Sequence, residues 1–344
     1  MRWRAVMAAP TYPKTPVALS CAAMRDALFP RALRAGDKVA LVSPSSPLGD
    51  RGALDAGLAR LRQWDLEPVL MPNALARLSY PQGGELAGTD AQRLDDLQTA
   101  IREPRYRAIL CVRGGYGATR LLQQLDFEPL RRDPKPIVGY SDITALLAAA
   151  HKETGLVGLH GPGVATPTSH DPGVANWELQ RALLFDGAKP QALPSTGPAH
   201  VLTPGTATGR LVGGNLTLVC ALLGTPWEID TTGAILFLED VHEAPYRVDR
   251  MLTQLRHGGH LDRAAGIAFG DFHLADTPLA SEMPEMVGVL TERTRGLKAP
   301  IAHGFPFGHR PGSWTLPVGA RARLAAKDPA AAATLSLLEP AVRT

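Results

Sequence analysis

Three polar residues of the sequence stand where short apolar runs end, so they could meet in a buried active site. Ser141 follows PIVGY, Glu239 ends ILFLE, and His309 follows the glycine of FPFG. A histidine can accept the proton of a serine hydroxyl, and a carboxylate can orient the imidazole and stabilise its positive charge. In chain order, Ser141, Glu239 and His309 could therefore act as nucleophile, carboxylate and general base.

Each of the three also has an ordinary structural interpretation. Ser141 and Asp142 precede the apolar stretch ITALLAAA, and a side-chain oxygen at such a position often caps the helix that follows. The turn reads G-x-S-x-I rather than the hydrolase pattern G-x-S-x-G, so the local sequence favours the cap. Glu239 could point to solvent, and a loop histidine such as His309 is usually a surface residue.

A serine nucleophile also needs donors for the oxyanion that it creates. The N–H of Asp142 lies at the expected helix start, and a glycine of RGGYG (113–117) could supply the second donor. Glycine suits this task because its backbone can approach a substrate closely. The same loop could instead bind phosphate. It lacks, however, both the Lys-[ST] ending of a P-loop and the G-x-G-x-x-G spacing of a dinucleotide site.

The composition limits the class of protein. The chain has 344 residues, 45% of them hydrophobic, and a net charge of +3, which disfavours nucleic-acid binding as the main function. The three cysteines form no C-x-x-C pair, which fits a reducing, cytoplasmic setting. No apolar stretch approaches the roughly 20 residues of a membrane span. The ten histidines include no H-E-x-x-H, so neither a metal nor another cofactor is expected.

The periodicity predicts the organisation of the chain. From Lys38 to His160, strand-like and helix-like segments alternate, among them a predicted helix ATRLLQQLD (118–126). Near-continuous apolar strands in this rhythm predict an α/β fold with a parallel sheet covered on both faces. We expect residues 1–35 to be a disordered extension, 36–186 an N-terminal domain, 187–208 a linker, and 209–344 a smaller mixed α/β domain.

Several longer motifs resemble one known family. They are RGGYGATRLL, IVGYSDITALL, GRLVGGNLTLVCALLGTPWEID, ILFLEDVHEAPYRVDRMLTQL and FGH. In this order and spacing, from about Gly36 to Glu339, they resemble the LD-carboxypeptidases (muramoyltetrapeptide carboxypeptidases), whose microcin-immunity branch shares the same core. Two features depart from the family pattern: the first 35 residues, and Gly163, where a methionine is common.

The resemblance implies a serine peptidase with Ser141, Glu239 and His309 as its triad. It implies an oxyanion hole formed by the N–H groups of Asp142 and Gly115. It further implies a flavodoxin-like N-terminal domain and a smaller C-terminal domain, with the active site in the cleft between them. Such enzymes are usually cytoplasmic homodimers.

The reaction implied is hydrolysis of the L,D-peptide bond that releases terminal D-Ala from murein tetrapeptide, L-Ala-D-Glu-meso-diaminopimelate-D-Ala, during peptidoglycan recycling. The candidate substrate contacts are Arg113, Gly114, Tyr116, His160 and Trp227, although Trp227 could equally belong to the core and Arg113 to a structural ion pair. Two alternatives remain open. One is a microcin-immunity-type peptidase that cleaves aminoacyl-nucleotide toxins, and the other is a non-catalytic muropeptide-binding protein.

Overall fold

The computed structural model describes residues 26–80, 84–166, 176–187, 191–193, 199–273, 284–310, 312–328 and 330–344. In the first half, strands alternate with helices. The strands are β1 (Lys38–Val42), β2 (Glu67–Leu70), β3 (Leu78–Ser79), β4 (Glu85–Leu86), β5 (Tyr106–Cys111), β6 (Ile137–Gly139) and β7 (Gly158–His160). The helices are α1 (Arg51–Gln63), α2 (Asp90–Arg102), α3 (Glu128–Arg132), α4 (Ile143–Thr154) and α5 (Asn176–Phe185).

The second half is richer in strands. They are β8 (Gln191–Ala192), β9 (His200–Thr203), β10 (Gly205–Asn215), β11 (Ile235–Val241), β12 (Gly266–His273), β13 (Ile301–His303), β14 (Leu316–Val318), β15 (Arg321–Ala326) and β16 (Thr334–Leu337). The helices are α6 (Leu216–Ala221), α7 (Pro245–His257), α8 (His260–Arg263) and α9 (Pro284–Thr294). Among the described residues, no helix is both long and apolar enough to cross a membrane.

A six-stranded sheet in the order β14-β7-β6-β5-β1-β2 organises the first half. Its five strands from this half are parallel, and β14 joins antiparallel beside β7. Counted along the chain, the parallel strands follow the order 2-1-3-4-5, which is the flavodoxin-like order. The predicted α/β fold with a flavodoxin-like N-terminal part is therefore confirmed.

An eight-stranded sheet in the order β8-β16-β15-β10-β11-β12-β13-β9 organises the second half. Strands β10 to β13 are parallel neighbours, whereas the other pairs are antiparallel. Apolar side chains of α7 and α9 pack on the parallel part and form a core of their own with Leu236, Leu238 and Phe269. This is the expected mixed α/β architecture.

Three local expectations need correction. Residues 26–35 are not a disordered extension, because Leu28 bridges to Leu156 and Leu33 packs in the core. Residues 1–25 lie outside the described part. The segment 187–208 is more than a linker, since β8 and β9 pair at the two edges of the eight-stranded sheet. In turn, β14 returns to the first sheet, so neither sheet is built from one continuous stretch of chain.

The predicted helix ATRLLQQLD also differs from the structure. It forms two 3-10 turns, at Ala118–Arg120 and Leu122–Gln124. The first turn begins directly after Gly117, whose φ is +120°, and the Ala118 N–H donates to the Asp142 carboxylate. Successive 3-10 turns of this kind are typical of short connecting segments.

Strand β10 passes directly against the start of α4. The Asn215 N–H donates to Thr144 Oγ1 over 3.0 Å. A Cβ added to Gly214 would lie 2.6 Å from that same Oγ1, so only glycine permits this approach. Because Asn215 pairs with Glu239 of β11 and α4 begins two residues after Ser141, the contact sets the distance between the two sheets near these polar residues.

Replacing Gly214 with alanine should therefore lower the free energy of unfolding by about 2–4 kcal/mol, from backbone strain plus overlap with Thr144. Gly233→Ala is the matched control, because Gly233 also has a positive φ (+66°) but nothing within 4 Å of an added Cβ. It should lose only the backbone contribution, about 1–2 kcal/mol. Urea unfolding of both variants measures the difference, and equal losses would contradict the importance of the Thr144 contact.

Candidate active site

Ser141 occupies the sharp turn between β6 and α4. Its φ is +61°, a left-handed conformation that is uncommon for a residue other than glycine. The Ser141 carbonyl accepts the Thr144 N–H over 2.9 Å and so begins the turn into α4. The half-buried side chain thus stands at a strained strand–turn–helix junction, the geometry that presents a nucleophile above an α/β sheet.

The Asp142 side chain does not cap α4, which corrects the helix-cap interpretation. The helix has no side-chain cap. Instead, the buried carboxylate accepts the Ser45 hydroxyl over 2.6 Å and the Ala118 N–H over 2.7 Å, both through Oδ2. Asp142 already has a helical backbone (φ −55°, ψ −25°), whereas a residue that caps through its side chain is normally extended.

Glu239 and His309 form a direct hydrogen bond, from Nδ1 to Oε2 over 2.8 Å. The Glu239 side chain is fully buried, and that of His309 is 17% exposed. Because Nδ1 donates to the carboxylate, Nε2 is the imidazole nitrogen that remains for proton transfer. The pair therefore has the arrangement of a base and its orienting carboxylate.

The electrostatics of this pair favour its charged form. Burial alone would lower the pKa of His309, but the Glu239 carboxylate, with Asp240 and Asp271 farther away, raises it above its usual value. Burial would likewise raise the pKa of Glu239, but the charge and hydrogen bond of His309 lower it. The site thus stabilises the imidazolium that forms when a histidine takes a proton.

Tyr140 connects the Ser141 turn to His309. Its ring stacks on the imidazole with a centroid separation of 4.6 Å and an interplanar angle of 29°. Since Tyr140 directly precedes Ser141, the stack brings the base to the side of the turn that carries the serine. No motif in the sequence marks Tyr140 as a site residue. Its position next to a candidate nucleophile was the available signal.

The glycine loop lies against Ser141. A Cβ added to Gly114 would be 2.8 Å from the Ser141 Cβ, so any side chain at Gly114 would displace the serine. The next residue, Gly115, has a φ of +119°. Within the described residues, the N–H groups of Asp142 and Gly115 donate no hydrogen bond. Asp142 directly follows Ser141, and Gly115 directly follows the glycine that packs against it, so both N–H groups are candidate donors for an oxyanion.

Arg113 and Tyr116 border the same loop. Arg113 is half-buried, with Nη1 3.4 Å from the Pro47 carbonyl, and Tyr116 is 52% exposed. Among the described residues, no carboxylate forms an ion pair with Arg113. The interpretation of Arg113 as a structural ion-pair partner therefore has no support in the described part of the chain.

His160 lies behind Glu239 and cannot contact a substrate, which corrects its assignment as a substrate contact. It is 1% exposed, and its Nε2 is 3.8 Å from Glu239 Oε1. Burial lowers the pKa of His160 to about 4, so the ring is neutral near pH 7. The rings of Tyr140 and Phe237 pack edge-on against the imidazole, with centroid separations of 6.2 and 5.3 Å, and so enclose it.

Trp227 is not a substrate contact but packs against the hydrophobic core, the alternative that the sequence left open. It lines a cavity of about 310 Å³ together with Phe127 and Thr154. Thr154 ends α4, whereas Ser141 precedes its start, so the cavity lies roughly 20 Å from the serine along a helix that rises about 1.5 Å per residue. Trp227 is therefore not part of the candidate active site.

Other residues that shape the site escaped the sequence analysis. Ser45 and Ser46 follow β1, and Arg93 lies in α2. The Ser46 hydroxyl accepts the Tyr116 N–H over 3.2 Å, and the buried Arg93 donates to the carbonyls of Gly117 and Pro44. The signal for the serines was their place at the carboxyl end of a parallel strand, where α/β proteins gather functional groups.

A metal-binding cluster is also absent from the part of the chain that the structure describes. No three His, Cys, Asp or Glu side chains converge there. The candidate site itself offers a hydroxyl, an imidazole–carboxylate pair and two backbone N–H groups.

Comparison with known proteins identifies relatives over most of the chain. Residues 39–161 match the family model of the LD-carboxypeptidase N-terminal domain, and residues 208–324 match that of the LD-carboxypeptidase C-terminal domain. The chain is similar to a probable murein peptide carboxypeptidase of Bacillus subtilis. The two are 39% identical over 315 residues, which cover 92% of this chain and 97% of the relative.

Two solved structures are similar as well. A muramoyltetrapeptide carboxypeptidase from Oxalobacter formigenes is 30% identical, with a TM-score of 0.72 over 87% of this chain and 99% of the other. An MccF-like protein from Bacillus anthracis has a TM-score of 0.80 over 91% of this chain and 100% of the other. At 24% identity, the second likeness concerns the fold alone.

The His309–Glu239 pair makes a prediction that needs no substrate. The His309 imidazole should titrate above its usual pKa of about 6.5. Glu239→Gln should lower that pKa, because the effect of burial is then opposed only by the charges of Asp240 and Asp271. NMR titration of the imidazole measures both values.

Glu243→Gln is the control for this titration. Glu243 pairs with Arg247 over 3.5 Å, so its loss should leave the His309 titration nearly unchanged. A His309 pKa that is the same in Glu239→Gln and in the unmodified protein would contradict the assigned hydrogen bond.

Proposed function

The chain belongs to the LD-carboxypeptidase family, and we propose that it is a serine carboxypeptidase that releases terminal D-Ala from murein tetrapeptide in peptidoglycan recycling. The observation that carries this proposal is the 2.8 Å hydrogen bond between His309 and Glu239. The His309 ring of this pair stacks on Tyr140, the residue that precedes Ser141. The names of the relatives support a murein peptide as the substrate. A cytoplasmic homodimer, as the family resemblance implies, is part of the proposal.

In the proposed mechanism, the Ser141 hydroxyl attacks the carbonyl between the L-centre of meso-diaminopimelate and D-Ala. His309 Nε2 takes the hydroxyl proton, and Glu239 stabilises the resulting imidazolium. The N–H groups of Asp142 and Gly115 bind the oxyanion. The C–N bond then breaks, and His309 returns the proton to the amine of departing D-Ala. A water molecule, deprotonated by His309, then attacks the acyl carbon; the bond to Ser141 Oγ breaks, His309 returns the proton to Oγ, and the tripeptide is released.

A carboxypeptidase must also recognise the free carboxylate of the last residue, and we propose that Arg113 does so. It directly precedes Gly114, which contacts Ser141, and no described carboxylate neutralises it. Arg93, by contrast, is occupied by Asp90 and two carbonyls. Gly114 and Tyr116 would line the same part of the cleft. A guanidinium can bind a carboxylate through two parallel hydrogen bonds, which fixes the orientation of the leaving residue.

Ser141→Ala should lower kcat for D-Ala release by about 10⁴-fold or more, because removal of the nucleophile leaves only binding and oxyanion stabilisation. Adding His309→Ala should bring little further loss, since the two residues act together. Chromatographic measurement of D-Ala released from the tetrapeptide gives the rates. Ser336→Ala, in β16 near the far edge of the other sheet, is the control and should keep full activity.

Two outcomes would contradict this proposal. The first is near-normal D-Ala release by Ser141→Ala. The second is an unmodified protein that hydrolyses an aminoacyl sulfamoyl adenosine but releases no D-Ala, which would favour the microcin-immunity alternative.

The Arg113 assignment is tested with two substrates, the tetrapeptide and its C-terminal D-Ala amide. Arg113→Gln should lower kcat/KM for the free acid by roughly 10–100-fold, the effect of losing a hydrogen bond to a charged group. It should hardly change the rate of D-alaninamide release. Arg323→Gln, exposed on β15, is the control. Equal losses on both substrates would show that Arg113 does not read the carboxylate.

A further inference from the structure

We propose that the Asp142 side chain is a positioning residue: its carboxylate holds the glycine loop so that the Gly115 N–H faces the oxyanion. This inference rests on the proposed function, in which the Asp142 backbone supplies the other donor. One residue would then provide one donor of the oxyanion hole through its N–H and orient the second through its side chain.

The first part of the argument is the way the loop is held. Residues 113–117 lie between β5 and the first 3-10 turn and include three glycines, so the backbone has little intrinsic order. Three consecutive residues that follow Gly115 are each anchored to a group outside the loop. The Tyr116 N–H is bound by Ser46 Oγ, the Gly117 carbonyl by Arg93, and the Ala118 N–H by Asp142 Oδ2.

The second part concerns what these anchors leave available. Gly114 is packed against Ser141 on one side of Gly115, and the anchored residues 116–118 follow on the other side. Among the described residues, the Gly115 N–H itself has no acceptor. The loop is therefore fixed on both sides of a donor that remains free, which is what binding of a transient oxyanion requires.

The third part is the environment of the carboxylate. Asp142 is 3% exposed, and burying an ionised carboxylate is unfavourable unless hydrogen bonds compensate. Oδ2 accepts both the Ser45 hydroxyl and the Ala118 N–H, so it joins the loops after β1, β5 and β6 at a single atom. Packing alone would not require a charged residue at this position. A carboxylate oxygen that accepts hydrogen bonds from two loops fixes the position of one loop relative to the other.

The test compares Asp142→Ala with Asp142→Asn, which keeps a side-chain oxygen acceptor. Asp142→Ala should lower kcat by about 10²–10³-fold, the effect of losing one oxyanion donor, with KM within about twofold of the unmodified value. Asp142→Asn should recover most of this loss. Asp262→Ala, exposed on α8, serves as the control and should change neither parameter.

A peptide aldehyde that replaces the scissile carbonyl provides the decisive readout, because its adduct with Ser141 places an oxyanion in the hole. Its affinity should fall in Asp142→Ala by the same factor as kcat, whereas the affinity for the tripeptide product should not change. A merely structural role would weaken both ligands together, and that result would overturn the proposal. Unchanged kcat would overturn it as well.

If Asp142→Ala does not fold, Ser45→Ala provides a second test of the same proposal. It removes one of the two donors to the carboxylate, so the ratio of aldehyde to product affinity should fall by a smaller factor. An unchanged ratio in Ser45→Ala would count against the proposal. Failure of the proposed function is separate, because it would appear in the unmodified protein as absent D-Ala release, or as D-Ala release that Ser141→Ala retains.

Discussion

The hydrogen bond from the Asn215 N–H to Thr144 Oγ1 joins the two sheets where the halves of the candidate site meet. On one side, Thr144 lies in the first turn of α4, three residues after Ser141. On the other side, Asn215 is paired with Glu239 on the neighbouring strand. The separation of Ser141 from the His309–Glu239 pair therefore depends on how closely β10 approaches α4, and the glycine at position 214 permits that approach.

Buried carboxylates surround this junction, and each has a different role because each has different partners. Glu239 is bound by His309. Asp240 is bound by Asn215 and Thr217, and burial together with the charge of Glu239 raises its pKa to about 6. Asp142 is bound by Ser45 and Ala118. Of these three, only Glu239 contacts an imidazole that reaches the surface, so it alone can support proton transfer.

The sequence was sufficient for the parts of the site that depend on local pattern. Short segments are enough to predict the parallel sheet, the family resemblance and the places of Ser141, Glu239 and His309 at the ends of apolar runs. The structure and the comparisons confirm the fold and the family. The roles of these residues stay predictions. The Glu239–His309 contact joins residues 70 positions apart, so the local pattern could mark each residue as a candidate but could not predict their hydrogen bond.

The errors concern contacts between distant segments. His160 ends a strand, where a side chain can reach a ligand, but the rings of Tyr140 and of Phe237 on β11 pack against it and bury it. Trp227 lies in a motif shared with the family, yet the fold places it at the far end of α4. The Asp142 side chain was assigned to its own helix because its partners, Ser45 and Ala118, are 97 and 24 residues away. The periodicity of a short segment cannot predict contacts between such distant residues.

Tyr140 is important because the candidate site residues are divided between the two sheets. The first sheet alone carries Ser141 and both backbone donors, while the second supplies the base and its carboxylate. If the two sheets separated slightly, the two proposed oxyanion donors would stay with Ser141, but the proposed base, His309, would move away from it. Tyr140 belongs to the first sheet by sequence, and it stacks on the His309 ring of the second over 4.6 Å. This stack holds the imidazole against the turn that carries the nucleophile. The site is therefore assembled by contacts across the junction rather than within either sheet.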